Sequence, residues 1–85
     1  MQFLHSRFYL NSNDCVRVAL DSQANVLLMG DSDFNRYKRG DSHRYYGGLA
    51  KRSPVVLGAP HPGFWNVVVD LGGYSGSVRA SVAKI

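Results

Sequence analysis

The sequence has one cysteine, no glutamate and no apolar stretch long enough to cross a bilayer, and each shortage removes a class of protein. With Cys15 alone no internal disulfide can form, so a stapled secreted scaffold is excluded and a reducing compartment is expected. No histidine or helix start lies near Cys15 in sequence to lower its pKa, so it reads as a small strand residue rather than a nucleophile. A membrane-spanning helix needs about 20 apolar residues, and the opening segment has no basic stretch followed by a long apolar run. The expectation is a soluble, unprocessed, cytoplasmic protein with no membrane contact. At 85 residues the chain is one domain, 1–85, with little room for a deep cleft walled on all sides. Any site is expected at the surface.

Because glutamate is absent, the 6 acidic residues are all aspartates, set against 10 lysines and arginines for a net charge of +4. That balance favours encounter with anions in general. Asp14, Asp21, Asp31, Asp33 and Asp41 fall at turn or cap positions, where local hydrogen bonding accounts for them. Asp70 lies inside a strand and is expected to pair with Arg79 across a hairpin. His5, His43 and His61 fit no metal spacing. Gly73-Tyr74-Ser75-Gly76-Ser77 invites comparison with a nucleophile elbow, but it lacks the last glycine and the strand-to-helix turn. No catalytic residue, metal site or cofactor is expected, and the chain is not read as an enzyme. Catalysis would need His43 or His61 brought to a carboxylate in space.

What is present is alternation with a period of two. Val16, Val18 and Leu20 share one face of the segment from Cys15 to Asp21. Trp65, Val67, Val69 and Leu71 share a face, with Phe64, Asn66, Val68 and Asp70 opposite. Val78, Ala80 and Val82 repeat the pattern between Ser77 and Ala83. These read as half-buried antiparallel strands, with Trp65 in the core. Asn25 to Met29 is a continuous apolar run suited to a core strand, and Phe3 to Tyr9 and Val55 to Leu57 are further candidates. Pro60-His61-Pro62-Gly63 suits a type II turn, and Gly72 to Gly76 reads as a glycine-rich hairpin joining the two clearest strands.

One segment has helical punctuation. Asp31 or Ser32 can cap the start, Arg36, Lys38 and Arg39 complement the end of the helix dipole, and Gly40 follows as a terminator. Phe34 and Tyr37, three apart, would pin this helix to a sheet. The fold class is all-β: a small antiparallel β-sandwich or partly closed barrel of about seven strands, with one short helix near residues 32–39. An α+β arrangement is the alternative.

The candidate site is the basic and aromatic stretch that follows: Arg36, Lys38, Arg39, Arg44, Tyr45 and Tyr46, beside Gly47-Gly48. Arginine offers paired donors to a phosphate and tyrosine a stacking face. The expected partner is a small anionic ligand such as a nucleotide. Because Tyr45 and Tyr46 are successive residues of a strand, only one of them can face a given ligand. Self-association or docking through an open sheet edge is a second reading, since short sandwiches leave edges that need covering. Nonspecific nucleic-acid binding is a third reading and ranks below the small anionic ligand, because Asp31, Asp33 and Asp41 interrupt the basic cluster.

Asp21-Ser22-Gln23-Ala24-Asn25-Val26, Asp33-Phe34-Asn35-Arg36-Tyr37, Arg44-Tyr45-Tyr46-Gly47-Gly48, Arg52-Ser53-Pro54-Val55 and the run from Trp65 to Tyr74 form an ordered set covering nearly the whole chain. In that order the chain resembles a bacterial family catalogued only as a domain of unknown function. Members of that family stand alone or lie beside a Toll/interleukin-receptor-type signalling domain. The resemblance implies a compact β-rich module with a sensing or adaptor role, and a signalling domain as partner. It brings no catalytic residues.

Overall fold

Apolar alternation becomes two antiparallel sheets in the structure, a computed structural model that describes residues 3–72 and 76–85. Among the described residues the order is β1 (Phe3–Leu10), β2 (Cys15–Leu20), β3 (Ala24–Gly30), α1 (Asp31–Arg39), β4 (Tyr46–Ala50), β5 (Val55–Gly58), β6 (Gly63–Asp70) and β7 (Ala80–Lys84). One sheet runs β1-β6-β3-β4 and the other β5-β2-β7, with no closed barrel. The two sheets face each other through Val16 and Val18 of β2, Val26 and Leu28 of β3, and Trp65, Val67 and Val69 of β6, all buried. Trp65 is thus a core residue, with its indole N–H donated to the His61 carbonyl at 3.1 Å.

Helix α1 lies on the other face of the four-stranded sheet, where Phe34 packs with Leu27, Met29 and Val68. The continuous apolar run of β3 is explained by this placement: Val26 and Leu28 face the second sheet, while Leu27 and Met29 face the helix. Gly40 ends the helix at φ 79°, the left-handed region glycine occupies without a Cβ penalty, and its N–H bonds the Tyr37 carbonyl. At the start the structure differs from the expected cap. Gly30 holds the N-cap position with no side-chain cap bond, because the Asp31 carboxylate is turned to Arg7 and Asn66 instead.

Four further expectations are corrected. Strand β6 is buried on both faces rather than half-buried, since Asn66, Val68 and Asp70 lie on its helix-facing side. The segment from Gly72 to Gly76 does not close a hairpin, because β6 pairs with β1 and β3 whereas β7 pairs with β2 in the other sheet; residues 73–75, and with them most of the elbow-like pattern, lie outside the described residues. Asp70 and Arg79 therefore never come opposite each other: the Arg79 backbone N–H is donated to Asp21. Gly63 has φ 153° and opens β6, far from the roughly +80° of a type II turn.

Candidate functional site

The six residues singled out from the sequence divide between two faces. Arg36, Lys38 and Arg39 occupy the last turn of α1, and Arg44 and Tyr45 follow in the short segment that leads to β4. His43 bridges these parts: its ring lies 5.3 Å from that of Tyr37 on the helix and 5.7 Å from that of Tyr45. Tyr46 points elsewhere, meeting the edge of Trp65 at 6.0 Å. Both tyrosines are half-exposed. The helix-side corner thus gathers Arg36, Lys38, Arg39, Arg44, His43 and Tyr45, and leaves Tyr46 out.

Charge pairing narrows the corner further. Arg36 bonds Asp33 at 3.3 Å and Arg39 bonds Asp41 at 3.0 Å, so two of its cations already hold carboxylates. The Lys38 ammonium lies 4.8 Å from the centre of the Phe34 ring. The Arg44 backbone N–H is held by Asp33 at 3.1 Å while its guanidinium has no partner among the described residues. His43 Nδ1 sits 2.9 Å from the Asp41 carbonyl, which fixes the ring. The segment is therefore tied down through its backbone and its histidine, with no hydrogen bond or ion pair from the side chains of Arg44 and Tyr45 among the described residues.

The same imbalance runs through the molecule. Each carboxylate is engaged internally: Asp14 by Asn11 and Lys84, Asp21 by Ser22 and the Arg79 N–H, Asp31 by Arg7 and Asn66, Asp33 by Arg36 and the Arg44 N–H, Asp41 by Arg39, and Asp70 by Asn25, Tyr37 and the Gly72 N–H. Arg17, Lys38, Arg44, Lys51, Arg52 and Arg79 are left without a carboxylate among the described residues.

Sequence reasoning missed a polar seam between α1 and the sheet. Asn66 is buried; its amide donates to Asp31 at 2.8 Å and to the Met29 carbonyl at 3.3 Å, and its oxygen lies 2.8 Å from His5 Nε2. The His5 ring stacks on Phe34 at 4.0 Å. Arg7 forks onto both oxygens of Asp31 at 3.1 and 2.7 Å. Hydrogen bonding from Arg7 and then from Asn66 holds the Asp31 carboxyl at about 2, well below the usual carboxylate range, and Asp31 in turn raises the Arg7 guanidinium. At the far end of the seam the buried Asp70 accepts from Asn25 at 2.9 Å, from the Gly72 N–H at 2.8 Å and from the Tyr37 hydroxyl. Burial first, and then Asp70, push the Tyr37 hydroxyl well above the usual phenol range. The only sequence signal for this seam was two polar residues, Asn66 and Asp70, four apart on one face of a largely apolar strand.

This seam is closed on itself: every polar side-chain atom buried there has a partner. Among the described residues no cluster of histidine, cysteine and carboxylate side chains has the geometry to hold a metal. Nor is any helix long and apolar enough to cross a membrane. Compared with known proteins, the chain matches no curated protein and no solved structure. A family model does match it, from the first residue to the last, with every segment of the sandwich and the helix inside the matched range. The protein belongs to the family described as Domain of unknown function (DUF1883), which it matches over residues 1–85.

Proposed function

We propose that the protein is a non-enzymatic binding module for a small anionic ligand such as a nucleotide, held at the corner formed by Arg44, Tyr45 and His43. The observation that carries this reading is the unequal commitment of charge: all the aspartate carboxylates are engaged internally, while the Arg44 guanidinium has no carboxylate partner among the described residues and the next residue, Tyr45, has a half-exposed ring. A guanidinium presents paired N–H donors that match a phosphate, and an exposed ring offers a stacking face worth about 1–3 kcal/mol per base. Anchoring of the segment through the Arg44 N–H and through His43 lowers the ordering cost on binding. Lys38, at the end of α1, adds positive potential. Such a module would act as a sensor or adaptor, reporting the presence of its anion to a signalling partner.

A thermal-shift series with nucleotides, sugar phosphates and the matching unphosphorylated compounds tests it. Phosphorylated ligands at millimolar concentration are expected to raise the Tm of the wild-type protein, since a ligand that binds only the folded state stabilises by mass action. Arg44→Ala and Tyr45→Ala should fold normally and lose the shift. An unchanged Tm across the whole phosphorylated set refutes the reading.

A further inference from the structure

On the side of the sandwich away from the helix end, a groove of about 490 Å³ follows β4 from Gly47 to Ala50, with Pro54 and Val55 opposite. Strand β4 is the last strand of its sheet and β5 the last of the other, so each has one edge with no strand partner among the described residues. Folded proteins usually guard such an edge with an inward charge, a proline or a covering segment. The opposite edge has these guards: β1 carries His5 and Arg7, and Lys84 of β7 reaches across to the Tyr9 carbonyl at 3.1 Å. Strand β4, with the sequence Tyr46-Gly47-Gly48-Leu49-Ala50, has neither a charge nor a proline.

Its glycines add to the openness. Gly47 has φ 111°, and a Cβ there would meet the Val26 carbonyl oxygen at 2.2 Å, so the position admits no side chain. Gly48 likewise leaves the backbone bare, and Leu49 is 57% exposed. Immediately after β4, Lys51 and Arg52 reach the same groove, and neither has a carboxylate partner among the described residues.

We infer that β4 accepts an extended acidic peptide as an added antiparallel strand, with its backbone paired to the free β4 edge and its N-terminal acidic residues against Lys51 and Arg52. Backbone pairing would supply affinity in a sequence-tolerant way, and the cations would select the partner and its direction. All strand pairs in this sheet are antiparallel, which puts the start of an added strand beside the end of β4. A second copy of this chain does not fit the same site. It has no glutamate, and its aspartates are all engaged by their own neighbours. The partner is therefore a different protein that offers an acidic, strand-forming segment. The inference does not depend on the anion corner, and peptide binding should survive Arg44→Ala.

Fluorescence anisotropy with a labelled Glu-Glu-Val-Thr-Val-Thr-Val peptide provides the test, alongside a Lys-Lys-Val-Thr-Val-Thr-Val peptide and an eight-thymidine single strand. The acidic peptide should bind, and Lys51→Glu combined with Arg52→Glu should weaken it by about tenfold or more. Methylating alternate backbone nitrogens of the peptide should abolish binding for the set facing β4 and spare the other set. Wild-type amide resonances that shift on titration should fall within residues 47–52, a readout that stands even if the charge-reversed protein does not fold. Absence of binding, equal binding of the lysine peptide, indifference to both methylation sets, shifts centred elsewhere, or an oligonucleotide that binds as tightly as the acidic peptide each overturn it.

Discussion

On its inner face the four-stranded sheet meets the second sheet through buried side chains that are all apolar, whereas on its outer face α1 sits on a smaller apolar patch bordered by Asn66, Asp70, His5 and Asp31. Both faces are built on the same strands, β3 and β6, so the difference lies in what covers them. A sheet can cover a sheet with interdigitating branched side chains, because the backbones of both are already paired within their own layers. A nine-residue helix touches only a few such side chains. Directional hydrogen bonds along its length supply position that so short a helix cannot get from apolar area. The inner face should therefore carry most of the stability, and the outer face most of the pH sensitivity.

The inner face is broken most severely at Trp65. Its side chain is 4% exposed and packs with Val67, Val69 and Leu28. Trp65→Ala should cost about 3–5 kcal/mol, a large part of the 5–15 kcal/mol typical of a domain. Chemical denaturation against wild type measures it. A loss below about 1 kcal/mol would mean that the two sheets do not depend on this contact.

The same contrast decides what could be read from the sequence. Val16, Val18, Val67 and Val69 announced the inner face, because alternation records burial against a flat apolar layer. Helix α1 was legible from its end charges, from Gly40 and from the Phe34–Tyr37 spacing, all of them local signals. Its docking was not fully legible. In β6, Asn66 and Asp70 imitate the solvent-facing half of an amphipathic strand, and only the helix above them, with Arg7 and His5 brought in by β1, shows that they are buried and satisfied. The hairpin expected at Gly72 to Gly76 failed for a related reason: turn chemistry identifies a change of direction and leaves open which sheet the chain enters next. Of the candidate site, the cations and tyrosines were visible, but their pairing was not. Asp33 neutralises Arg36 one turn away on the same helix, Asp41 neutralises Arg39 just past the helix end, and Tyr46 turns to Trp65.

On the outer face, Tyr37→Phe sharpens the comparison. It removes the hydroxyl bonded to Asp70 while keeping the ring packed near Phe3 and Phe34. Asp70 then keeps only Asn25 and the Gly72 N–H of its three donors, and the loss should be about 1–2 kcal/mol at neutral pH. The pH dependence has a definite sign. Because burial and Asp70 raise the folded-state Tyr37 pKa above its ordinary value of 10.0, the stabilisation is complete below about pH 10 and is lost as pH rises beyond it. Denaturation midpoints of wild type and Tyr37→Phe should converge on the alkaline side. Parallel curves would show that the hydroxyl contributes nothing specific to helix docking.

The smallest effect is expected at the start of the helix, where Arg7 and Asp31 are each about half-exposed. Arg7 and Asn66 depress the folded-state Asp31 pKa from 3.8 to about 2. The carboxylate therefore contributes stability that is fully present above about pH 4 and is lost as pH falls through about 2. Solvent screening of so exposed a pair limits the contribution to about 1 kcal/mol or less, and added salt should reduce it further. Asp31→Asn keeps an oxygen able to accept from Asn66 but removes the charge that Arg7 grips, so it isolates the ion pair from the seam. The wild-type advantage over Asp31→Asn should be constant from neutral pH to about pH 4 and should shrink between there and pH 2. If the advantage stays flat through that window, the Arg7–Asp31 pair plays no part in holding α1, and the buried bonds of Asn66 and Asp70 position the helix without it.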